Sequence, residues 1–260
     1  MSEFLSTALD AVRAAEDVIL KYLETGVRAE LKADQSPVTE ADREAEEIIK
    51  ATIRKKFPDH TFFGEESEKA NLSNHQGYTW IIDPIDGTKS YLRKNPLFST
   101  LLALMHDGEF VLGVSNAPLM KELLYAEKGE GCYLNGERVS VSKIDAIPDA
   151  YLSYGSLKLF ERHQAVAPLV SLASSVKWGR GIGDFWSYHL LAQGKLDIMV
   201  EPDTKLWDVA AFTVIISEAG GTMTQLDGQP VNGATTTALA TNGPLHNSIV
   251  QHFENATKSE

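Results

Sequence analysis

Apolar residues in the first part of the chain recur at helical spacing. Phe4, Leu5, Ala8, Leu9, Val12, Ala15, Ile19 and Leu23 fall on one stripe with charges between them, which predicts an amphipathic helix over residues 4–23. Residues 30–38, ELKADQSPV, read as a polar loop. Thr39 then opens TEAD, a capping-box pattern ahead of AEEIIKATIRKKF, so a second helix is expected from about residue 40 to 57, ended by Pro58. TFFG, residues 61–64, reads as a short strand leading into Glu65 and Glu66. A polar segment to about Gly77 precedes a strand at 79–83.

From 98 to 127 the pattern changes to strands separated by turns: FSTLLALM, EFVLGVSNA and ELLYAEK, with HDG and PLMK between them. Asn135-Gly136 inside GCYLNGERVSV is a hairpin signal. DAIPDA, at about 145–150, reads as a crossing between two lobes. Beyond it, strands are expected near 151–154, 196–200, 222–226 and 237–240. Helices are expected near 160–172, 184–193, 207–219 (stopped by Gly220-Gly221) and 244–256. No internal repeat or low-complexity segment interrupts this order.

The chemistry concentrates where apolar elements end. WIIDPIDGTKSY, residues 80–91, begins as a buried strand and then sets Asp83 and Asp86 around a proline. Like charges that close repel, and one should take up a proton unless a cation sits between them. A metal ion resolves the repulsion, and oxygen-only donors point to a hard ion such as Mg²⁺. Asp83 could bridge two ions, with Glu65 of FFGEES on one, and Asp86 and Asp208 of LWDVAAFTVIISEAGG on the other. The Ile85 carbonyl, turned inward at Pro84, could add a neutral ligand. Two ions roughly 3.5–4 Å apart suit in-line phosphoryl displacement. Gly87, Thr88, Lys89 and Ser90 would then hold a phosphate if a helix starts there, since leading N–H groups point at an anion and Gly87 permits close approach. Taken singly, Asp208 also reads as a partner of its helix dipole, Glu65 and Glu66 as a solvated pair, and DGTKS as an ordinary turn.

Composition sets outer bounds. The 260 residues, 43% of them hydrophobic, can fill one large core, so a single domain over 1–260 with two lobes of about 1–147 and 148–260 is expected. Thirty-six acidic residues against 24 basic give a net charge of −12, which argues against nucleic acid or an anionic membrane as partner. No apolar run is long enough to span a bilayer, and charges at Glu3, Asp10, Arg13 and Glu16 exclude a signal peptide. One cysteine, Cys132, excludes an internal disulfide and fits a cytoplasmic location.

GEES, WIIDPIDGTKSY and WDVAAFTVIISEAGG, in that order, together with PVTEAD at 37–42, resemble the signature segments of the inositol monophosphatase superfamily, over about residues 5–255. The resemblance implies an α+β fold, an αβαβα layered sandwich, and a homodimer. It implies Mg²⁺-dependent hydrolysis of a small phosphate ester with two or three ions per site, Mn²⁺ able to substitute. The metal ligands it implies are Glu65, Asp83, the Ile85 carbonyl, Asp86 and Asp208. Asp42 and Thr88 resemble the pair that orients and deprotonates the attacking water, with Glu66 assisting.

DGTKSY departs from the DGTTNF most often found in inositol monophosphatases. RGIGDFWSYHLLAQGKLDIMVEPDTKLWD, residues 180–208, is instead similar to the histidinol-phosphatase branch. Asp184 with Glu201 offers a carboxylate pair suited to an amino alcohol carrying an ammonium and an imidazole, because a buried cation requires a charge partner. Asp184 could equally cap the helix that follows it, and a glutamate at the place of Glu201 also suits inositol hydroxyls. Arg180 could reach the phosphate or pair with an acid. The reading is therefore a phosphomonoesterase for L-histidinol phosphate; the alternatives are an inositol-1-phosphatase or broad-specificity relative, and a non-catalytic binding protein. Of Trp178, Phe185 and Trp186, at least two are expected in the core, and His189 is expected to be packed rather than catalytic.

Overall fold

The computed structural model describes residues 1–26, 29–31, 37–66 and 76–257. The expected apolar stripes become two long helices, α1 (Glu3–Thr25) and α2 (Glu40–Arg54), packed against each other. Ser2 caps α1 by accepting the Leu5 N–H at 3.1 Å. The Thr39 hydroxyl accepts from Ala41 and Asp42, and the Asp42 carboxylate answers with the Thr39 N–H at 2.8 Å, so the expected capping box is present. Residues expected as a polar loop instead contribute β1 (Ala29–Leu31) and β2 (Pro37–Thr39), an antiparallel pair. Every β1 side chain is exposed, so no apolar alternation announced it. Residues 32–36 of that loop, and residues 67–75 of the polar segment before Gly77, lie outside the described residues.

A seven-stranded sheet runs in chain order through β3 (Thr61–Gly64), β4 (Tyr78–Asp86), β5 (Ser99–His106), β6 (Glu109–Ala117), β7 (Glu122–Glu127), β8 (Gly131–Leu134) and β9 (Glu137–Val139). Only β3 and β4 are parallel, and the rest is an antiparallel meander. Asn135 and Gly136 both take positive φ, 52° and 88°, as the tight turn between β8 and β9 requires. A five-residue helix, α3 (Thr88–Leu92), follows β4.

The second sheet is mixed, in the order β11 (Trp178–Arg180), β10 (Tyr151–Tyr154), β12 (Ile198–Glu201), β14 (Ala238–Thr241), β13 (Thr222–Thr224). The three-residue edge strand β11 was not expected. The helix expected at 160–172 is two, α4 (Leu157–Arg162) and α5 (Val166–Ser175), broken at Gln164, whose φ is 56°. The break leaves Arg162 and His163 turned to the Asp203 carboxylate. The remaining helices are α6 (Asp184–Ala192), α7 (Leu206–Glu218) and α8 (His246–Thr257).

Three cores follow from this order. Trp80, Ile82, Leu102 and Val114 pack beneath α1 and α2. Ile81, Leu101, Phe185, Tyr188 and most of α7 fill the space between the sheets. Leu152, Ile198 and Leu239 pack on the far side with Leu169, Leu172 and Ile249 of α5 and α8. The layers are thus α1/α2, sheet, α6/α7, sheet, α4/α5/α8, the αβαβα arrangement expected. Because α7 is enclosed on both sides, it is apolar all round, and its run VAAFTVII has no polar stripe. No helix among the described residues is long and apolar enough to cross a membrane.

Helix α7 packs tightly on the sheet at Gly113 of β6, where a Cβ would lie 2.1 Å from the Ala211 carbonyl oxygen. Neither backbone can give way cheaply in a close-packed interior. Gly113→Ala is expected to cost about 3 kcal/mol or prevent folding. Urea unfolding measures this, and a loss under about 1 kcal/mol would show that α7 does not rest on β6 there.

Candidate active site

Strand alternation brings the first carboxylate to the middle of the molecule. Along β4, Trp80 and Ile82 point to α1 and α2 while Ile81 points between the sheets; Asp83, two residues further, continues on the Ile81 side. The register then shifts between Asp83 and Asp86. That bulge sends Ile85 back into the core under α1 and α2 and lets Asp86 join Asp83. It also explains why β4 runs through Pro84 instead of ending at Asp83 as expected, since a bulge leaves ladder positions without a required N–H. Thr100 Oγ1 donates to the Pro84 carbonyl at 2.9 Å, and the Ile85 N–H donates to Asp83 Oδ1 at 3.0 Å, which fixes the bend.

Asp208 arrives from the first turn of α7. Its Oδ2 accepts the Lys205 N–H at 2.8 Å and the Thr204 hydroxyl at 3.2 Å, so it caps its helix. It also meets the strand carboxylates: one oxygen each of Asp83, Asp86 and Asp208 lie within 4.8 Å of one another. The two readings of Asp208, dipole partner and member of the acidic cluster, therefore hold together.

The cluster is electrostatically strained. Burial, then the charges of Glu65, Asp86 and Asp208, hold the Asp83 carboxyl well above its ordinary range, and a hydrogen bond with Glu65 adds to this. Burial, then Asp184, Asp208 and Glu201, do the same to Asp86, opposed by the Phe185 N–H at 3.2 Å. Burial pushes Asp208 up to about 7, opposed by its hydrogen bonds from Lys205 and Thr204. Among the described residues, the charged neighbours that act most on Asp83 and Asp86 are carboxylates. A set of buried and half-buried oxygen donors that repel one another fits a hard divalent ion such as Mg²⁺.

A cavity of about 270 Å³ opens over the cluster, lined by Pro37, Glu65, Asp83, Ile85, Asp86, Gly87, Thr88, Lys89, Ser90, Asp184 and Asp208. The structure thus gathers both strand ends and the α7 carboxylate at one place. Gly87 has φ 87°, and a Cβ there would lie 2.6 Å from the Leu97 carbonyl oxygen, so only glycine fits this turn. The Thr88 hydroxyl donates to the Ile85 carbonyl at 3.1 Å. An adjoining cavity of about 220 Å³ shares Asp86, Lys89, Asp184 and Asp208 and adds Tyr188, Glu201 and Asp203. Burial pushes the Glu201 carboxyl up to about 8 despite a 2.6 Å hydrogen bond from the Tyr188 hydroxyl, with Asp184 and Asp208 contributing.

Not every expected residue lines these cavities. Asp42 is buried at the start of α2, its Oδ2 engaged by the Thr39 N–H and hydroxyl. The Glu66 N–H donates to Glu46 on α2. Arg180 lies exposed on the edge strand, stacked over Trp178 with one N–H on the Gly179 carbonyl, away from both cavities. Gly183, not Asp184, is the cap of α6; Asp184 makes no capping bond and takes φ 49° as the first helical residue.

Of the three aromatics, of which at least two were expected in the core, Phe185 is core, while Trp178 and Trp186 are half-buried and pack against it. His189 is fully buried between Ser115 and Glu122, at 2.7 and 2.8 Å. Tyr188, Thr204 and Glu46 had no expected role. Tyr188 lies four residues after Asp184 on the same helical face, a spacing visible in GDFWSY; Thr204 and Glu46 had no such signal.

The sequence profile of the inositol monophosphatase family matches residues 1–258. The chain is 36% identical to a histidinol-phosphatase of Streptomyces coelicolor, over 94% of this chain and 93% of that one. It is also 36% identical to a histidinol-phosphatase of Mycobacterium tuberculosis, over 92% and 93%. An inositol-1-monophosphatase of Bacillus subtilis is 29% identical over 95% of each chain. In three dimensions the chain is similar to an IMPase of Thermotoga maritima, with a TM-score of 0.87, 30% identity and 99% of each chain covered.

The raised carboxyls carry a pH dependence. With Asp208 at about 7 and Glu201 at about 8, the folded state keeps protons that the unfolded chain releases near pH 4, so their stability contribution is present at low pH and is lost as pH rises toward 8. Burial lowers His60, His189 and His246, which acts the opposite way, but only below about pH 6.5. Between about pH 6.5 and 8 the carboxylates therefore set the slope. Thermal melts in EDTA should show Tm falling across that window, and added Mg²⁺ should raise Tm most at pH 8. A flat Tm indifferent to Mg²⁺ would remove the cation-site assignment.

Proposed function

The chain belongs to the inositol monophosphatase family, and from that premise we propose that it is a Mg²⁺-dependent phosphomonoesterase acting on L-histidinol phosphate. One observation carries the choice of substrate: the cavity beside the acidic cluster continues into Asp184, Glu201 and Asp203, so the part of the ester beyond the phosphate meets further carboxylates. Asp203 already meets Arg162 and His163, and Glu201 accepts from Tyr188, so the charge in question is chiefly that of Asp184, which an ammonium would pair and an uncharged polyol would not. The 36% identity to two histidinol-phosphatases over nearly the whole chain supports the same reading. The alternative is an inositol-1-phosphatase or broad-specificity relative, favoured by the similarity to the Bacillus subtilis protein and by a Tyr188–Glu201 pair able to bond hydroxyls.

In this reading Asp83, Asp86 and Asp208, with Glu65 and the Ile85 carbonyl, hold the metal. The ions supply charge stabilisation for the phosphoryl group and acidify the attacking water. The remaining work falls to the chain. Gly87, by lacking a Cβ, keeps the α3 turn close to the cluster, and Lys89 and Ser90 border the place the phosphate would take. Thr88 and Asp42 are proposed to orient and deprotonate water, with Glu66 assisting. Asp184 and Glu201 orient the cationic end.

Phosphate release from histidinol phosphate and inositol 1-phosphate, side by side with Mg²⁺, tests the substrate. We expect a higher kcat/KM for histidinol phosphate and no turnover in EDTA; the reverse preference would overturn the choice. Asp83→Asn is expected to fold and to lose more activity than the roughly 100-fold that removal of an outer partner of a metal ligand costs. Retained turnover would sink the metal assignment. Asp184→Ala is expected to raise KM for histidinol phosphate by roughly 10-fold or more, the worth of a charge-assisted hydrogen bond, with less effect on a neutral ester. Equal effects on both would show that Asp184 does not read the ammonium.

A further inference from the structure

The buried stripe of α2 is not purely apolar. Ala41, Ala45, Ile49 and Ile53 share it with Glu46 and Lys50, one helical turn apart and only 1% and 5% exposed. Lys50 Nζ lies 2.6 Å from Glu46 Oε1. The other oxygen of Glu46 accepts the Glu66 N–H at 2.9 Å. The same carboxylate occupies the space where residue 64 lacks a side chain: a Cβ on Gly64 would lie 2.5 Å from it. On the opposite side, the Glu65 N–H donates to the Ile82 carbonyl of β4 at 3.0 Å. Glu65 is therefore held between two backbone anchors, its own N–H on the central strand and the next N–H on a buried ion pair.

Stability alone gives no reason for that pair. Removing two charges from water costs about as much as their attraction returns, and apolar residues of similar size would serve the fold as well. What the pair does locally is fix the chain at the exit of β3, where Glu65 leaves the sheet to meet Asp83. We infer that Glu46 is a positioning residue for metal binding, with Lys50 holding its carboxylate in place and Gly64 making room for it. The inference rests on the metal reading of Glu65 proposed above. Glu46 touches neither of the two cavities and acts only through the backbone of residues 64–66.

The test follows Tm against Mg²⁺ concentration for the full-length, EDTA-treated protein, which yields an apparent affinity without reference to turnover. E46M/K50M removes both charges and the acceptor while keeping two unbranched side chains. It should fold and bind Mg²⁺ about 10- to 100-fold more weakly, the usual effect of losing an outer partner. E46Q/K50M keeps a carbonyl oxygen for the Glu66 N–H and should stay within about 3-fold of wild type. Gly64→Ala drives a methyl group into the Glu46 carboxylate and should weaken binding about 10-fold; it decides the matter if E46M/K50M does not fold. Wild-type Mg²⁺ affinity in a folded E46M/K50M or G64A protein overturns the positioning role and leaves the metal site standing. Absence of saturable Mg²⁺ binding by the wild-type protein removes the metal reading itself, and this inference with it.

Discussion

The structure turns on the repulsion among carboxylates brought together at the end of one central strand. Asp83, Asp86 and Asp208 converge within 4.8 Å, with Glu65 hydrogen-bonded to the first of them. Burial takes away the water that would screen them, so each is pushed toward its protonated form. No fold would gather these groups for stability. Their arrangement is held by features that would otherwise be defects: a bulge through Pro84, a capping carboxylate that also faces the cluster, and a glycine turn closed against Leu97.

The surrounding layers make that strain tolerable. The apolar helix carrying Asp208 is clamped between two sheets and touches β6 backbone to backbone at Gly113. Helix α2 meets the chain at the exit of β3 through Glu46, whose carboxylate fills the gap left by Gly64 and accepts the Glu66 N–H. A rigid frame of this kind keeps like charges from separating, which leaves charge neutralisation by protons or by a metal ion as the remaining relief. The repulsion among these carboxylates and the proposed affinity for a divalent ion would then have one origin.

The same electrostatics extends to the adjoining cavity. Glu201 is raised by burial although Tyr188 donates to it, and Asp184 and Asp208 add to the effect. Lys89 lines both cavities amid these acids. Residues from α6 and β12 form this wall, which meets the end of β4 where the Phe185 N–H donates to Asp86. The proposed choice of a cationic ester depends on this wall, not on the cluster.

Much of this was legible in the sequence. The amphipathic stripe of α1, the capping box of α2, the Asn135-Gly136 turn and the meander up to β9 are local patterns, decided by residues a few positions apart. Asp83 and Asp86 of DPIDGTKS were recognisable because two close carboxylates at the end of an apolar strand repel, whereas Asp208 of WDVAAF, a ready helix-dipole partner when taken singly, was recognisable only together with the other segments. What the sequence left open depended on contacts between distant segments. Strand β1 is exposed on every side chain and β11 is a three-residue edge, so neither had an apolar signature. The helix expected at 160–172 breaks at Gln164, where Arg162 and His163 meet Asp203 some forty residues away. Arg180 looked like a phosphate ligand by its place beside RGIGD, yet as an edge-strand residue it stacks on Trp178 outside both cavities. Glu46 and Lys50 carried no signal in the sequence; the packing of α2 on the exit of β3 buries them and gives the carboxylate a backbone to hold. The residue types and their local spacing determined which groups could form a site, whereas the packing of layers decided which of them share a low-dielectric space and interact strongly.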